Sequence, residues 1–254
     1  MRRKNSVGAD LDYSARVDPA DLPEWMDEPS TFEEFRECVR DLGSVNRWTF
    51  GYKPTLDFLR RIVALDRQSS RPLQVVDVGS GGGDALRRIS RWARRKSLEV
   101  QLTGIDLNPH ATRAAQELSA GDNRPGEIRW ITGNAYDEPS VQGADVVISS
   151  LVTHHMRDPE IVDFLGWMER TAKSGWFIND LQRSARASLL FRVLARLMRW
   201  HPFVQHDGPV SFRRAFRVED WKRLLAEAGI PSEVVRFTRP APGRLCLTRL
   251  RGVR

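Results

Sequence analysis

From about residue 71 to residue 250 the chain alternates between two hydrophobic patterns. Short apolar runs, rich in β-branched residues and bounded by Gly, Pro, Asn or Asp, predict strands at 74–78, 100–105, 128–132, 145–150 and 176–180. Between them lie longer stretches with apolar residues at helical spacing, among them one opening at Ala85-Leu86-Arg87-Arg88-Ile89 and others at 109–119 and 159–171. Strand–helix alternation of this kind predicts a parallel sheet with right-handed crossovers. The end of the chain reads as a helix at 218–228, then strands at 233–238 and 244–250 joined by a short turn at 240–243. Two strands so joined form an antiparallel hairpin at the sheet edge. The expected fold is α/β, doubly wound, with a seven-stranded and mostly parallel sheet.

Upstream, Ser30 or Thr31 can cap a helix over 31–40, ended by Gly43, and a second helix is expected over 53–63. Residues 1–30 are polar, carry Pro19, Pro23 and Pro29, and read as an N-terminal arm. The expected division is therefore an arm (1–30), N-terminal helices (31–70), and a main domain (71–254) with an insertion at 182–217.

The segment Val75-Val76-Asp77-Val78-Gly79-Ser80-Gly81-Gly82-Gly83-Asp84 runs an apolar strand into a glycine turn. Glycine tolerates φ > 0 and lets backbone lie flat against a ligand. The next strand ends at Asp106, whose carboxylate can accept from two ribose hydroxyls. Both features belong at the carboxyl ends of adjacent parallel strands, where a nucleoside binds. The dinucleotide pattern G-x-G-x-x-G fails, because its third glycine falls on Asp84. A plain flexible turn is the bland alternative for the glycines, and a turn residue before Asn108-Pro109 is the bland alternative for Asp106.

Composition narrows the class. The chain has 254 residues, 41% of them hydrophobic, and a formal net charge of +7. Mean hydropathy is −0.45, and no apolar run approaches the roughly 18 residues that span a bilayer. Met1-Arg2-Arg3-Lys4 leads into Asp10, Asp12 and Asp18 rather than an apolar stretch, unlike a secretory signal. The two cysteines, Cys38 and Cys246, form neither a metal spacing nor a disulfide framework, so a reduced cytoplasmic setting is expected. The basic balance favours anionic partners, nucleic acid or an acidic membrane surface, although arginine bias also follows from base composition.

The run Asp77-x-Gly79-x-Gly81-x-Gly83, with Asp106 at the next strand end, resembles the first motif of class I S-adenosylmethionine-dependent methyltransferases. The resemblance extends from about Gly43 to the C-terminus. It implies a Rossmann-like sheet, S-adenosyl-L-methionine as cofactor, and a cofactor site built from Asp77, Gly79, Gly81, Gly83, Asp106, Leu107, Asn134, Ala135 and Ser150. Asp106 would hold the ribose. Asn134 stands where the family often has an acid that reads the adenine amine, and its amide oxygen can accept the same bond. N-terminal helices would cover the methionine end, with Arg47 pairing its carboxylate and Trp48 or Tyr52 facing the sulfonium; alternatively these rings simply pack.

Leu151-x-x-His154-His155 resembles a pattern in small-molecule methyltransferases related to quinone and polyketide methylases. His154 and His155 are thus candidate bases for a phenolic hydroxyl, or else capping or packing residues. The insertion would cap the substrate. It holds His201, His206 and Asp207, of which His206 is a further candidate base. No metal is expected, and His206 and Asp207 are not expected to pair, because adjacent side chains diverge. A helix at 185–200 sets Leu190, Val193, Leu194 and Leu197 opposite Arg192, Arg196 and Arg199, with Arg183 and Arg186 near its start. Either its apolar face packs on the core, or it touches anionic lipid and admits an acyl chain.

The resemblance implies an enzyme that methylates a small molecule, with O-methylation of a phenolic or polyketide-derived hydroxyl in secondary metabolism as the leading expectation. A C-methyltransferase of quinone biosynthesis is the alternative enzyme. A nucleic-acid-binding or regulatory protein that keeps the cofactor pocket is the alternative of another class. Ser149-Ser150-Leu151-Val152 replaces the Asn/Asp-Pro-Pro-Tyr/Phe motif of amino-methylating base methylases, which disfavours nucleic acid. The expected partner is a small acceptor, hydrophobic or long-chain, and the expected location is the cytoplasm with peripheral contact to an anionic membrane.

Overall fold

The computed structural model describes residues 12–65, 71–121, 127–240 and 243–252. The basic start of the chain (residues 1–4), Asp10, the end of the 31–70 unit and part of the 240–243 turn lie outside the described residues. Seven strands, β1 (Leu73–Val78), β2 (Val100–Asp106), β3 (Ile128–Thr132), β4 (Val146–Ser150), β5 (Gly175–Leu181), β6 (Val235–Thr238) and β7 (Arg244–Leu250), form one sheet in the order β3-β2-β1-β4-β5-β7-β6. β1 to β5 pair in parallel, while β7 enters antiparallel between β5 and β6. The strand order reverses between β1 and β4, the position at which open α/β sheets hold their ligands.

The central strands are buried on both faces, and their side chains alternate between two cores. Val76, Val147, Trp176, Ile178, Leu245 and Leu247 point to one face, against α5 (Asp158–Thr171) and α8 (Val218–Glu227), through Phe164, Met168, Trp221 and Leu224. Val75, Val146, Ile148, Phe177 and Cys246 point to the other, against α2 (Lys53–Leu65) and α3 (Asp84–Arg95), through Leu59, Ile62, Leu86 and Ile89. Leu59 and Leu86 have no exposed surface; truncating either to Ala costs about 2–5 kcal/mol. Burial also pushes the Cys38 and Cys246 thiols up to about 12, which makes them inert packing groups.

Three elements depart from the sequence expectation. Thr31 caps α1 (Phe32–Trp48), with its hydroxyl and the Glu34 carboxylate closing a capping box. The helix does not stop at Gly43 but runs five residues further. A mid-helix glycine costs about 1 kcal/mol against Ala, which the helix absorbs here, and the Tyr52 hydroxyl donates to the Gly43 carbonyl oxygen at 3.0 Å. In the insertion, residues 202–214 form a full helix, α7 (Pro202–Arg214), which Gly208 and Pro209 conceal in the sequence; a Cβ at Gly208 would overlap the Phe191 ring. Finally, α6 (Ala185–Leu197) does not bury the Leu190–Val193–Leu197 stripe. Its inner face is Ala187, Ser188, Phe191, Leu194 and Ala195, while Leu189, Leu190, Val193 and Leu197 are exposed. Among the described residues, no helix is long and apolar enough to cross a membrane.

Candidate active site

The carboxyl ends of β1 to β5 open into a cavity of about 950 Å³, roofed by α1, the 48–52 loop, the 3-10 turn Trp25–Asp27, α6 and α7. Asp77, Gly79, Gly81, Asp106, Leu107, Asn134, Ala135, Ser150, His154 and His155 all line it. Arg47, Gly83 and His206 do not.

The three alternate glycines do three different jobs. All have positive φ, at 71°, 50° and 74° for Gly79, Gly81 and Gly83. A Cβ at Gly79 would overlap Val152, and one at Gly83 would overlap the Trp130 ring. Gly83 is thus a left-handed N-cap for α3, packed away from the cavity. Only at Gly81 would a Cβ meet open space, so this residue lays bare backbone along the cavity wall. Asp106 braces the same loop. Its Oδ2 accepts the Gly81 N–H at 2.9 Å and its Oδ1 accepts the Asn108 N–H at 2.9 Å. Burial raises its pKa against those two bonds. Asn134 Oδ1 accepts the Tyr136 N–H at 3.1 Å, which holds the amide at the rim and leaves a second lone pair.

Asp77 is buried, and its Oδ1 has no hydrogen-bond partner among the described residues. Burial, then the neighbouring Asp84 and Asp106, raise its pKa well above the carboxylate range. An unpaired buried acceptor in a cavity wall is costly, and a cationic or N–H-bearing ligand relieves that cost. With the bare backbone at Gly81 and the Asp106 carboxylate, this arrangement fits the ammonium and ribose of S-adenosylmethionine.

Arg47 is exposed and does not line the cavity; a cation from the far end of the chain does. Arg244 of β7 is buried in the cavity wall, donating to Asn179 Oδ1 at 3.2 Å and to Asn46 Oδ1 at 2.8 Å. Beside it, the Tyr52 hydroxyl lies 2.6 Å from Asp84 Oδ2, and burial followed by Asp84 raises the phenol's pKa. Trp48 lies on the wall but is largely exposed.

After β4, Leu151 takes φ 59°, a strained conformation for a branched side chain. The turn delivers His154 and His155 to the cavity and buries Thr153. Asp180, at the end of β5, accepts from Thr153 Oγ1, from the His154 N–H at 3.1 Å and from the Leu181 N–H at 2.7 Å. Its Oδ1 lies 2.7 Å from His154 Nδ1. Burial opposes ionisation, but His154 and these donors outweigh it and hold Asp180 below its ordinary pKa. An ionised carboxylate only accepts, so the network assigns the proton to Nδ1 and leaves Nε2 toward the cavity.

His155 Nδ1 lies 2.9 Å from Asp27 Oδ1 and 3.0 Å from Arg214 Nη2. Burial pushes Asp27 up, yet His155 and Arg214 outweigh it and hold the acid below its usual range. Glu24 faces both histidines, at 3.7 Å from His154 Nε2 and 3.8 Å from His155 Nε2. Its other partners are the Ser211 hydroxyl at 2.8 Å and Arg214 Nη1 at 3.3 Å. Burial raises the Glu24 pKa to about 7, against the pull of His155 and Arg214. Glu24, His154 and His155 bring three ligand-capable atoms within 4.8 Å of one another. With the Arg214 guanidinium already against Glu24 and His155, the set handles protons better than it cages a cation.

His206 is displaced from the expected role. Its ring stacks on Trp25, with centroids 3.8 Å apart. Contrary to expectation it does pair with Asp207, Nδ1 to Oδ1 at 2.8 Å. Asp207 also accepts the Trp25 and Met26 N–H groups, so the pair pins the arm to α7. Sequence reasoning missed Glu24, Asp27, Asp180, Arg214 and Arg244. Asp180 carried a usable signal, an acid at the carboxyl end of a predicted parallel strand; the others meet the site only through tertiary packing.

Residues 75–175 match the family described as "Methyltransferase domain". A stretch of 111 residues, 43% of the chain, is 31% identical to ajmaline N-methyltransferase of Rauvolfia serpentina. That stretch spans 36% of the plant protein's length. The fold is similar to the plantazolicin methyltransferase BamL, crystallised with a triazolic desmethylPZN analog and SAH: TM-score 0.62 and 15% identity, over 90% of this chain and 93% of that one. It is also similar to human N-acetylserotonin methyltransferase in complex with SAM: TM-score 0.54 and 19% identity, over 86% and 55%. Residues 75–175 thus match a methyltransferase domain, and the sheet is the seven-stranded, mostly parallel one expected from the sequence, with the glycine loop at the carboxyl end of β1.

Proposed function

We propose that this protein transfers a methyl group from S-adenosylmethionine to the hydroxyl of a small hydrophobic acceptor, phenolic or polyketide-derived. The observation that carries the reading is the His154–Asp180 pair, which orients the His154 imidazole on the wall of the cavity that also holds Gly81 and Asp106. Bound, the cofactor supplies an electrophilic methyl for in-line displacement. Asp106 accepts from the ribose, Asp77 meets the cationic amine, Asn134 meets the base, and Arg244 is the guanidinium in reach of a carboxylate. The 31–70 helices cover the cofactor, and the 182–217 insertion covers the acceptor.

His154 Nε2 accepts the proton of the acceptor hydroxyl as the oxygen attacks, and Asp180 stabilises the resulting imidazolium. Glu24, with a pKa near 7, faces the Nε2 atoms of both histidines and takes that proton onward. The apolar wall from α6 and α7, including Phe191, Leu194, Val204 and Phe212, suits an aromatic or long-chain acceptor. The rest of the chain's contribution is alignment.

Calorimetric titration with S-adenosylhomocysteine, with NAD(H) in parallel, tests the cofactor assignment. Micromolar binding of the first alone supports it, and no binding of S-adenosylhomocysteine overturns it. Transfer of a labelled methyl to a panel of phenols, with the product's linkage determined, then separates O- from N- and C-methylation.

A further inference from the structure

The outward face of α6 has the chemistry of a helix lying in a lipid surface. Leu190 is 64% exposed and Leu197 74%, with Leu189 and Val193 also exposed. At about 100° per residue these four cover an arc of about 100°. Such an arc is a wide apolar stripe for a face that the protein leaves uncovered, and stripes of this kind mark interaction sites. Arg192, Arg196 and Arg199 run along one border of the arc, and Arg186 sits at its N-terminal end. From residue 182 to residue 200 the chain has five arginines and no acid. Of the five, Arg183 is buried against Asp220, while Arg186, Arg196 and Arg199 are exposed.

The same face borders the cavity mouth. Leu190, Trp48 and Phe50 line the cavity and are exposed as well, Phe50 by 73%. Residues that are both wall and surface mark where the cavity opens. The opening is therefore rimmed by large apolar side chains and neighboured by cationic ones.

We infer that α6 docks in the headgroup region of an anionic membrane, with Leu189, Leu190, Val193 and Leu197 inserted and the bordering arginines on lipid phosphates. Arginine stems reach along an apolar face while the guanidinium stays with the headgroups. An in-plane helix of this pattern binds through its apolar area and its charge together. Charge complementarity selects lipid over a second copy of the chain, because two such faces would bring arginines together. Trp48 and Phe50 then rest at the lipid boundary, and the cavity opens toward the bilayer. That last step rests on the hydrophobic-acceptor reading; the docking itself does not.

The test is co-sedimentation of the full-length protein with vesicles of phosphatidylglycerol and phosphatidylcholine, against phosphatidylcholine alone, without acceptor. Two variants accompany it, L189S/V193S/L197S and R192Q/R196Q/R199Q. None of these residues lines the cavity. Binding to the anionic vesicles, weakened about a hundredfold by the charge variant and by at least about tenfold by the apolar variant, with S-adenosylhomocysteine affinity unchanged, supports the inference. No binding of the parent to anionic vesicles overturns it, as does equal binding of all three proteins. A concentration-dependent dimer in analytical ultracentrifugation that L189S/V193S/L197S dissolves also overturns it, assigning the face to a second copy. If S-adenosylhomocysteine fails to bind while vesicle binding holds, the enzymatic reading falls and the docking face stands.

Discussion

Nδ1 of His154 lies 2.7 Å from Oδ1 of Asp180, and both residues are buried. The pair joins the turn after β4 to the end of β5, two adjacent strands of the parallel sheet. The imidazole is therefore oriented by the framework of the fold, not by a loose loop. His154→Gln keeps the bulk and removes the basic nitrogen. It is expected to lower kcat by about 10²–10⁴-fold while S-adenosylhomocysteine affinity stays within about twofold. Steady-state kinetics and calorimetry on one preparation check this. A parallel loss of both would reassign His154 to structure.

Glu24 makes stability depend on pH in a specific direction. Its pKa is raised to about 7 in the folded protein, from 4.5, chiefly by burial. A carboxyl raised on folding contributes stability that is fully present below the unfolded value and is lost as pH rises through the folded one. The window is thus about pH 4.5 to 7. Glu24→Gln holds the neutral form at all pH values. The variant's stability relative to the parent should rise across that window by on the order of 2–3 kcal/mol, as read by urea unfolding at pH 4.5, 6 and 8. A flat difference would mean that Arg214 and the histidines keep Glu24 ionised throughout.

The sheet was legible from residue 74 onward because strands buried on both faces read as unbroken apolar runs, and Gly, Asn and Asp marked where each run ends. The glycine loop and Asp106 were legible for the same reason: they are local in sequence and fixed to strand ends. Glu24 and Arg244 were not. One is an ordinary acid in a proline-rich arm and the other an ordinary arginine after a turn, and only the packing of α7 and β7 brings them to the cavity. Gly43 reads as a helix stop because glycine is a poor helix former, and the sequence says nothing of the tertiary contacts, such as the Tyr52 hydroxyl on its carbonyl oxygen, that carry α1 past it. The sequence leaves two coverings open for the apolar face of α6, core or lipid, since an apolar stripe specifies that a face is greasy and not what will cover it.

The glycine loop separates ligand binding from folding. At Gly81 a Cβ meets open cavity, whereas at Gly83 it meets the Trp130 ring, and both positions have positive φ. Gly81→Val should therefore leave a folded protein, destabilised by about 1–3 kcal/mol through backbone strain, that no longer binds S-adenosylhomocysteine. Gly83→Val should add a steric clash in the core and lower the melting temperature further. Equal thermal shifts with retained binding in both would remove the distinction between the two glycines.

Asp106 holds the loop and presents its remaining lone pairs to the cavity. Asp106→Ala removes the acceptor for Gly81 and for the ribose together. The expected loss of S-adenosylhomocysteine affinity is about 1–3 kcal/mol, by calorimetry. Asp106→Asn should recover part of it, since an amide oxygen still accepts from either donor.

Asp77 couples ligand binding to a proton. In the free protein its pKa is raised well above the ordinary range, first by burial and then by Asp84 and Asp106. Its Oδ1 also has no hydrogen-bond partner among the described residues. A cationic amine arriving beside that oxygen favours the charged form. Binding of S-adenosylhomocysteine should therefore release a proton, and the affinity should fall as pH drops. Calorimetry in buffers of different ionisation enthalpy reads this directly, because the observed heat then changes with the buffer. Asp77→Asn should abolish the buffer dependence and weaken binding, as a neutral amide neither releases a proton nor pairs with the cation. Buffer-independent heats in the parent would show that Asp77 keeps one protonation state throughout, with the amine held elsewhere.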